Sequence, residues 1–315
     1  MPRPTPTPPG RTSPNPDWPH FQLWQRVSAL FYALPNYFET ELTVKGINAT
    51  EVFSIGAAFA AVVETQVVTI LNGLRNIWDP ENRYPNHGFA RQAQTFPDVL
   101  LRNLEDDQDI LFGIELKSWY VLSKEGEPSF RYTITPDACA PPDLLVVLPW
   151  ILSDVISGNP RLLSPYKESA KYAAQYRNFH WQRSRQDRGE NPAIHPPPPE
   201  NQHPYPASKQ QASDEAEDDK GNNFGRLARS GIIDDYINTT KGQHYLGIKL
   251  AHWIAFFRAI TETGTDTQIE SRLGHLRQQV LAESDLITDP TQRSRTRDLV
   301  LEIVRIAEQL WQTSP

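Results

Sequence analysis

Cysteine is almost absent from this chain: Cys139 is the only one in 315 residues. An intrachain disulfide is excluded, and so is a zinc cluster of several thiolates. The economy fits a reducing cytoplasm, where we expect the protein. Methionine is as scarce, Met1 being the only one, so the core must rest on aliphatic and aromatic side chains, including eight tryptophans. Long apolar runs are missing too. The longest, Phe53 to Val63, stops at Glu64, well short of the ~20 residues a membrane span needs. The N-terminus, Met1-Pro-Arg-Pro-Thr-Pro, has no apolar run and does not read as a secretory signal. There is no Gly-x-x-x-x-Gly-Lys-Ser/Thr loop, which disfavours an ATP-driven enzyme. The eight histidines include no close ligand pair such as His-x-x-x-His.

The formal net charge is −7, which taken globally argues against a nucleic-acid binder. The charge is segregated, however. Residues 161–188 hold seven Lys and Arg against Glu168 and Asp187, whereas residues 189–222 hold seven acids against Lys209 and Lys220. A basic surface beside an acidic segment therefore remains open.

The pattern along the chain predicts four regions. Residues 1–19 are proline-rich and read as an extended, disordered tail. Residues 20–188 read as the core. Helical periodicity covers 21–34, stopping before Pro35. A short strand is expected over Leu42 to Ile47. Asn48-Ala-Thr-Glu51 reads as a capping box opening a helix that runs to Trp78. That helix is apolar on nearly every face and is expected to be central and buried. Strands follow over 96–101, 110–122 and 130–135, with polar turns at 103–109 and 124–128. Leu144 to Leu148 is continuously apolar, as in a strand buried on both faces. Residues 165–185 read as a helix. Residues 189–222, with Pro196 to Pro199 and an acidic run from Asp214 to Asp219, read as a disordered linker or insertion. Residues 223–315 read as a helical part packing on the core, with helices near 231–239, 243–262, 267–283 and 291–312. The whole is an α/β protein with a mostly helical C-terminal part.

Glu115 and Lys117 lie two apart on a strand, so their side chains share a face. The turn at 103–109 brings Asp98 beside Glu115. Two carboxylates held together repel, and a divalent cation relieves the repulsion; hard oxygen ligands suit Mg²⁺. Such a cation stabilises charge on a phosphodiester and acidifies water. Lys117 can orient that water or stabilise negative charge. Without context, Glu115 and Lys117 equally describe the solvated face of an edge strand. Pro136-Asp137 and Pro142-Asp143 are further Pro-Asp pairs, but they follow Glu-x-Lys.

Pro97-Asp98, sixteen residues, then Glu115-Leu116-Lys117 resembles the motif of the PD-(D/E)xK nuclease superfamily, and within it the type II restriction endonucleases. The resemblance implies a restriction-endonuclease-like core, a mixed sheet flanked by helices. It implies Asp98 and Glu115 as metal ligands and Lys117 as catalytic. It also points to Glu64, on the preceding helix, as a further ligand or a holder of water; a partly exposed glutamate on an apolar helix is the plainer account. Gln175 followed by Phe179 departs from the Gln-x-x-x-Tyr of the recombination exonucleases.

Lys167, Lys171 and Arg177 are the candidate phosphate contacts. The function expected is a Mg²⁺-dependent, site-specific endonuclease cutting double-stranded DNA in a restriction–modification system, as a homodimer on a palindromic site. The rivals are a repair or recombination nuclease and a noncatalytic DNA-binding or interaction protein on a nuclease-like fold.

Overall fold

In the computed structural model, residues 6–46, 54–92, 95–206, 211–221, 223–261, 264–284, 289–291, 293–294 and 297–298 are described. The capping box at 48–51 and most of the helix expected over 291–312 lie outside them.

Helix α1 (Phe21–Tyr37) buries Leu23, Val27, Leu30, Phe31 and Leu34 along one stripe. It runs through Pro35 to Tyr37, most of one further turn, and Leu34 and Phe38 on either side are both held in the core. Helix α2 (Ile55–Gly73) and the single turn α3 (Arg75–Trp78) end before Asp79, as expected. Helix α2 is one-sided rather than buried all round. Val63, Val67 and Leu71 are fully enclosed, while Val62 is exposed. The helix packs on the sheet through that one face, against two of the strands described next.

Strands β1 (His87–Arg91), β2 (Val99–Asn103) and β3 (Ile110–Tyr120) form an antiparallel run. Strand β4 (Leu144–Leu152) then pairs parallel to β3, with Glu115 beside Leu145 and Lys117 beside Val147. Strands β5 (Pro160–Leu162) and β6 (Tyr166–Ser169) pair antiparallel with successive parts of β4, giving a six-stranded mixed sheet. All nine residues of β4 are buried, as the unbroken apolar run requires. The β3–β4 crossover has no α-helix, only a 3₁₀ turn at Pro136–Ala138. Of the short strand expected over 42–47, the described part, residues 42–46, holds one bridge, Val44 to Gly158.

The segment 130–135 is not a strand of this sheet. It bonds instead to distant chain: Tyr132 N–H to Gly225 O at 2.8 Å, Thr135 N–H to Ala212 O at 2.8 Å, and Asp214 N–H to Thr133 O at 2.7 Å. The helix expected over 165–185 begins later, as α4 (Ala170–Asp187), because Ser169 caps it. The Ser169 hydroxyl accepts from Tyr172 N–H at 3.2 Å.

Residues 189–222, expected as a disordered linker, are partly folded onto the core. Strands β7 (Ile194–His195) and β8 (Glu215–Ala216) pair, and Asn201, Ala212 and Asp214 are buried. Residues 6–15 carry no helix or strand, yet Arg11 meets Glu168 at 3.3 Å. The C-terminal part contributes α5 (Asp234–Gly242), the hairpin β9 (His244–Tyr245) and β10 (Ile248–Lys249), α6 (Leu250–Thr261) and α7 (Asp266–Ser284). Leu250, Ile254 and Phe257 of α6 join the main core. Among the described residues, no helix is long and apolar enough to cross a membrane.

Candidate active site

The site is built at the start of β2 and the middle of β3. Strand β3 is not an edge: it lies between β2 and β4, so Glu115 is 1% exposed rather than solvated. An isolated carboxylate there would be strongly disfavoured, and Lys117 and the Asp98 N–H compensate it. Lys117 Nζ lies 2.6 Å from Glu115 Oε1. The same ammonium is 3.7 Å from Asp98 Oδ2. The Asp98 N–H donates to Glu115 Oε2 at 3.2 Å. Asp98 in turn accepts from the Leu116 N–H at 3.0 Å. The structure thus brings together Asp98, Glu115 and Lys117, the three residues singled out by their spacing.

The chain just before Asp98 packs closely on β3. Phe96-Pro97 is a cis peptide, and the Pro97 ring lies over Gly113, where a Cβ would overlap Pro97 Cγ. Gly113 is therefore required by close approach. Its N–H donates to Asp143 Oδ1 at 2.7 Å, while Ala140 N–H donates to Asp143 Oδ2 at 2.7 Å and Tyr205 Oη to Oδ1 at 3.0 Å. Burial raises the Asp143 carboxyl to about 6 despite these donors. Asp143, set aside in the sequence because its Pro-Asp follows Glu-x-Lys, ties β3 to the crossover beneath the site.

Glu64 on α2 is a neighbour rather than a direct contact. Its carboxylate lies 3.7 Å from Arg91. Burial first, and then the Asp98 and Glu115 charges, raise it to about 7 against the pull of Lys117 and Arg91. For Lys117, burial acts downward, but Glu115 and Asp98 outweigh it and hold the amine above its ordinary range. Lys117 therefore stays charged near neutrality.

Among the described residues, no three Asp, Glu, His or Cys side chains are arranged to hold a metal ion as they stand. The donor chemistry nonetheless fits a hard cation. Asp98 and Glu115 share one positive charge, now supplied by Lys117 Nζ, and Glu64 feels both carboxylates. Oxygen donors of this kind suit Mg²⁺.

The candidate DNA contacts fare differently. Lys167 donates to the carbonyl of Ser28 at 3.1 Å and to its hydroxyl, and sits 4.7 Å over the Tyr32 ring. It fastens β6 to α1. Lys171 is half-buried, with its charge acting on Asp143. Arg177 is 3% exposed and pairs with Asp214 at 2.6 Å. It also donates to the carbonyls of Tyr132 at 2.7 Å and Ile134 at 2.9 Å. Arg177 is thus a buried cross-brace, its guanidinium already taken up by Asp214 and two backbone carbonyls.

Comparison of the chain with protein-family models, with curated proteins and with solved structures finds no match.

Proposed function

We propose that the protein is a divalent-metal-dependent endonuclease that hydrolyses phosphodiester bonds of double-stranded DNA. One observation carries the reading: Asp98, just before β2, and Glu115 on the adjacent β3 meet around the single ammonium of Lys117. In this reading the sheet and α2 form a restriction-endonuclease-like core, and Asp98 and Glu115, joined by Glu64, would hold Mg²⁺. When bound, the ion offsets phosphodiester charge and acidifies water. Lys117, on the same face as Glu115, would orient that water or stabilise the charge that grows on the phosphoryl oxygens. Asp98 and Glu115 position it through their carboxylates. The mixed charge of the α4 region and a homodimer on a two-fold site complete the reading as a type II restriction enzyme.

A noncatalytic DNA-binding protein on a nuclease-like fold is the second reading. It is favoured by the completeness of the Lys117–Glu115 pair, which neutralises the carboxylate without a metal.

The test is incubation with long duplex DNA and Mg²⁺. The expected result is discrete fragments, reduced at least ~100-fold in Asp98→Ala. A smear assigns the protein to repair or recombination nucleases. Full cutting by Asp98→Ala or Lys117→Ala overturns the site, and binding without cutting supports the second reading.

A further inference from the structure

We propose that the cavity beside the C-terminal half of α4 is a binding site for a phosphoryl group. It is separate from the carboxylate site, and none of Asp98, Glu115 and Lys117 lines it. Its volume is about 310 Å³, at the small end of ligand cavities and enough for a phosphoryl group with the atoms that carry it.

Besides the Arg177 brace, the wall carries four guanidiniums, those of Arg185, Arg188, Arg226 and Arg229, and no carboxylate. The charges around it do not balance. Arg177 is closed by Asp214, but Arg185 and Arg188 share the single carboxylate of Glu190, at 2.6 and 3.1 Å. The carboxylates nearest Arg226 and Arg229 are distant, 3.8 Å to Glu125 and 3.6 Å to Glu127, and the one short contact of Arg229 is to the neutral Asn223 Oδ1 on the same wall. Guanidinium forks at this density match the oxygens of a phosphoryl group.

The hydrogen-bond account is also incomplete here. Trp181 Nε1, Arg185 Nε and Arg226 Nε are buried donors with no acceptor among the described residues, and all three belong to residues lining this cavity. Buried donors are normally paired. A ligand rich in acceptors, drawing Arg185 and Arg226 onto itself, supplies what the protein does not.

The aromatic residues favour charge recognition over base stacking. Arg185 lies 4.2 Å over Trp181 and Arg177 lies 4.8 Å over Phe224. The two rings meet edge to face at 5.3 Å. Each ring thus already carries a guanidinium, which it holds in place before any ligand arrives. The phosphoryl group comes either from a nucleic-acid backbone or from a small phosphorylated molecule.

The experiment uses the full chain in EDTA, with pyrophosphate and a short DNA duplex as probes, and the double variant Arg188→Gln, Arg229→Gln. Both side chains are about half exposed, so the variant retains its fold, checked by its melting curve without ligand. Pyrophosphate should bind the wild type at constant ionic strength, and the variant about tenfold more weakly. A matching loss on the duplex, with a salt dependence flatter by about 1 per lost contact, identifies the backbone as the source. Unchanged duplex affinity with weakened pyrophosphate binding identifies a small molecule. No pyrophosphate binding, or equal binding by wild type and variant, overturns the proposal. Because nothing is cut in EDTA, the result is independent of the nuclease reading.

Discussion

Replacing Lys117 with methionine keeps most of the side chain's volume and removes its charge. In the absence of metal, Glu115 then keeps a carboxylate that is 1% exposed, with no ammonium at 2.6 Å. Removing one partner of a buried pair costs about 3–5 kcal/mol. The Asp98 N–H still donates to Glu115, and Asp98 is partly solvated, so the low end, about 3 kcal/mol, is expected. The assay is urea unfolding in EDTA, followed by tryptophan fluorescence. If the carboxylates form a cation site, Mg²⁺ replaces the lost charge. At a hundredfold excess over its dissociation constant it returns about 2.7 kcal/mol. The double variant Lys117→Met, Glu115→Gln should lose both the penalty and most of the Mg²⁺ response. Two results refute the reasoning. One is Lys117→Met within ~1 kcal/mol of wild type in EDTA, against the expected range. The other is Mg²⁺ stabilising the single and double variants equally. Neither depends on catalysis.

Three further outcomes follow from the geometry. Gly113→Ala places a methyl group into Pro97; it should cost about 1–3 kcal/mol, shift Asp98, and lower cleavage more than binding, as read by kcat against KM. Arg177→Met strands the Asp214 carboxylate and should destabilise by about 3–5 kcal/mol, while DNA affinity measured below its melting temperature stays unchanged; a large affinity loss without a stability loss would contradict the buried-brace assignment. The Asp143 carboxyl, raised from 3.8 to about 6 by burial, binds its proton more tightly folded than unfolded. Its contribution is full below pH ~4 and is lost as pH rises through 6, on the order of 3 kcal/mol in all. Asp143→Asn leaves Ala140 N–H without its acceptor, so it should be less stable than wild type at pH 4, and the gap should narrow by pH 7.5 in urea titrations.

The carboxylate site was legible because its information is local. A β-branched and aromatic run over Ile110–Tyr120, a polar turn before it and a spacing of sixteen residues are enough to put Asp98 near Glu115. The unbroken apolar run likewise identified β4. The failures are long-range. His87–Arg91 is only five residues with no apolar run, and it becomes a strand because β2 offers it a partner. Phe130–Thr135 has a strand's composition, but its hydrogen bonds go to residues 212–225. Arg177 looked like a phosphate contact because its partner Asp214 sits in a segment whose composition reads as linker. No periodicity within α4 reports a counter-charge that arrives from there.

The Arg177–Asp214 brace also sets an order of events during synthesis. The two residues are 37 apart, and translation at about 5–20 residues per second separates their emergence by roughly two to seven seconds. Through that interval α4 has an arginine destined for burial and no acid to meet it, and the 130–135 segment has no edge to bond. A chain cut after residue 188 would stay in that state permanently. The acidic stretch thus acts as a closing latch, and early termination should leave a chain that chaperones and proteases recognise.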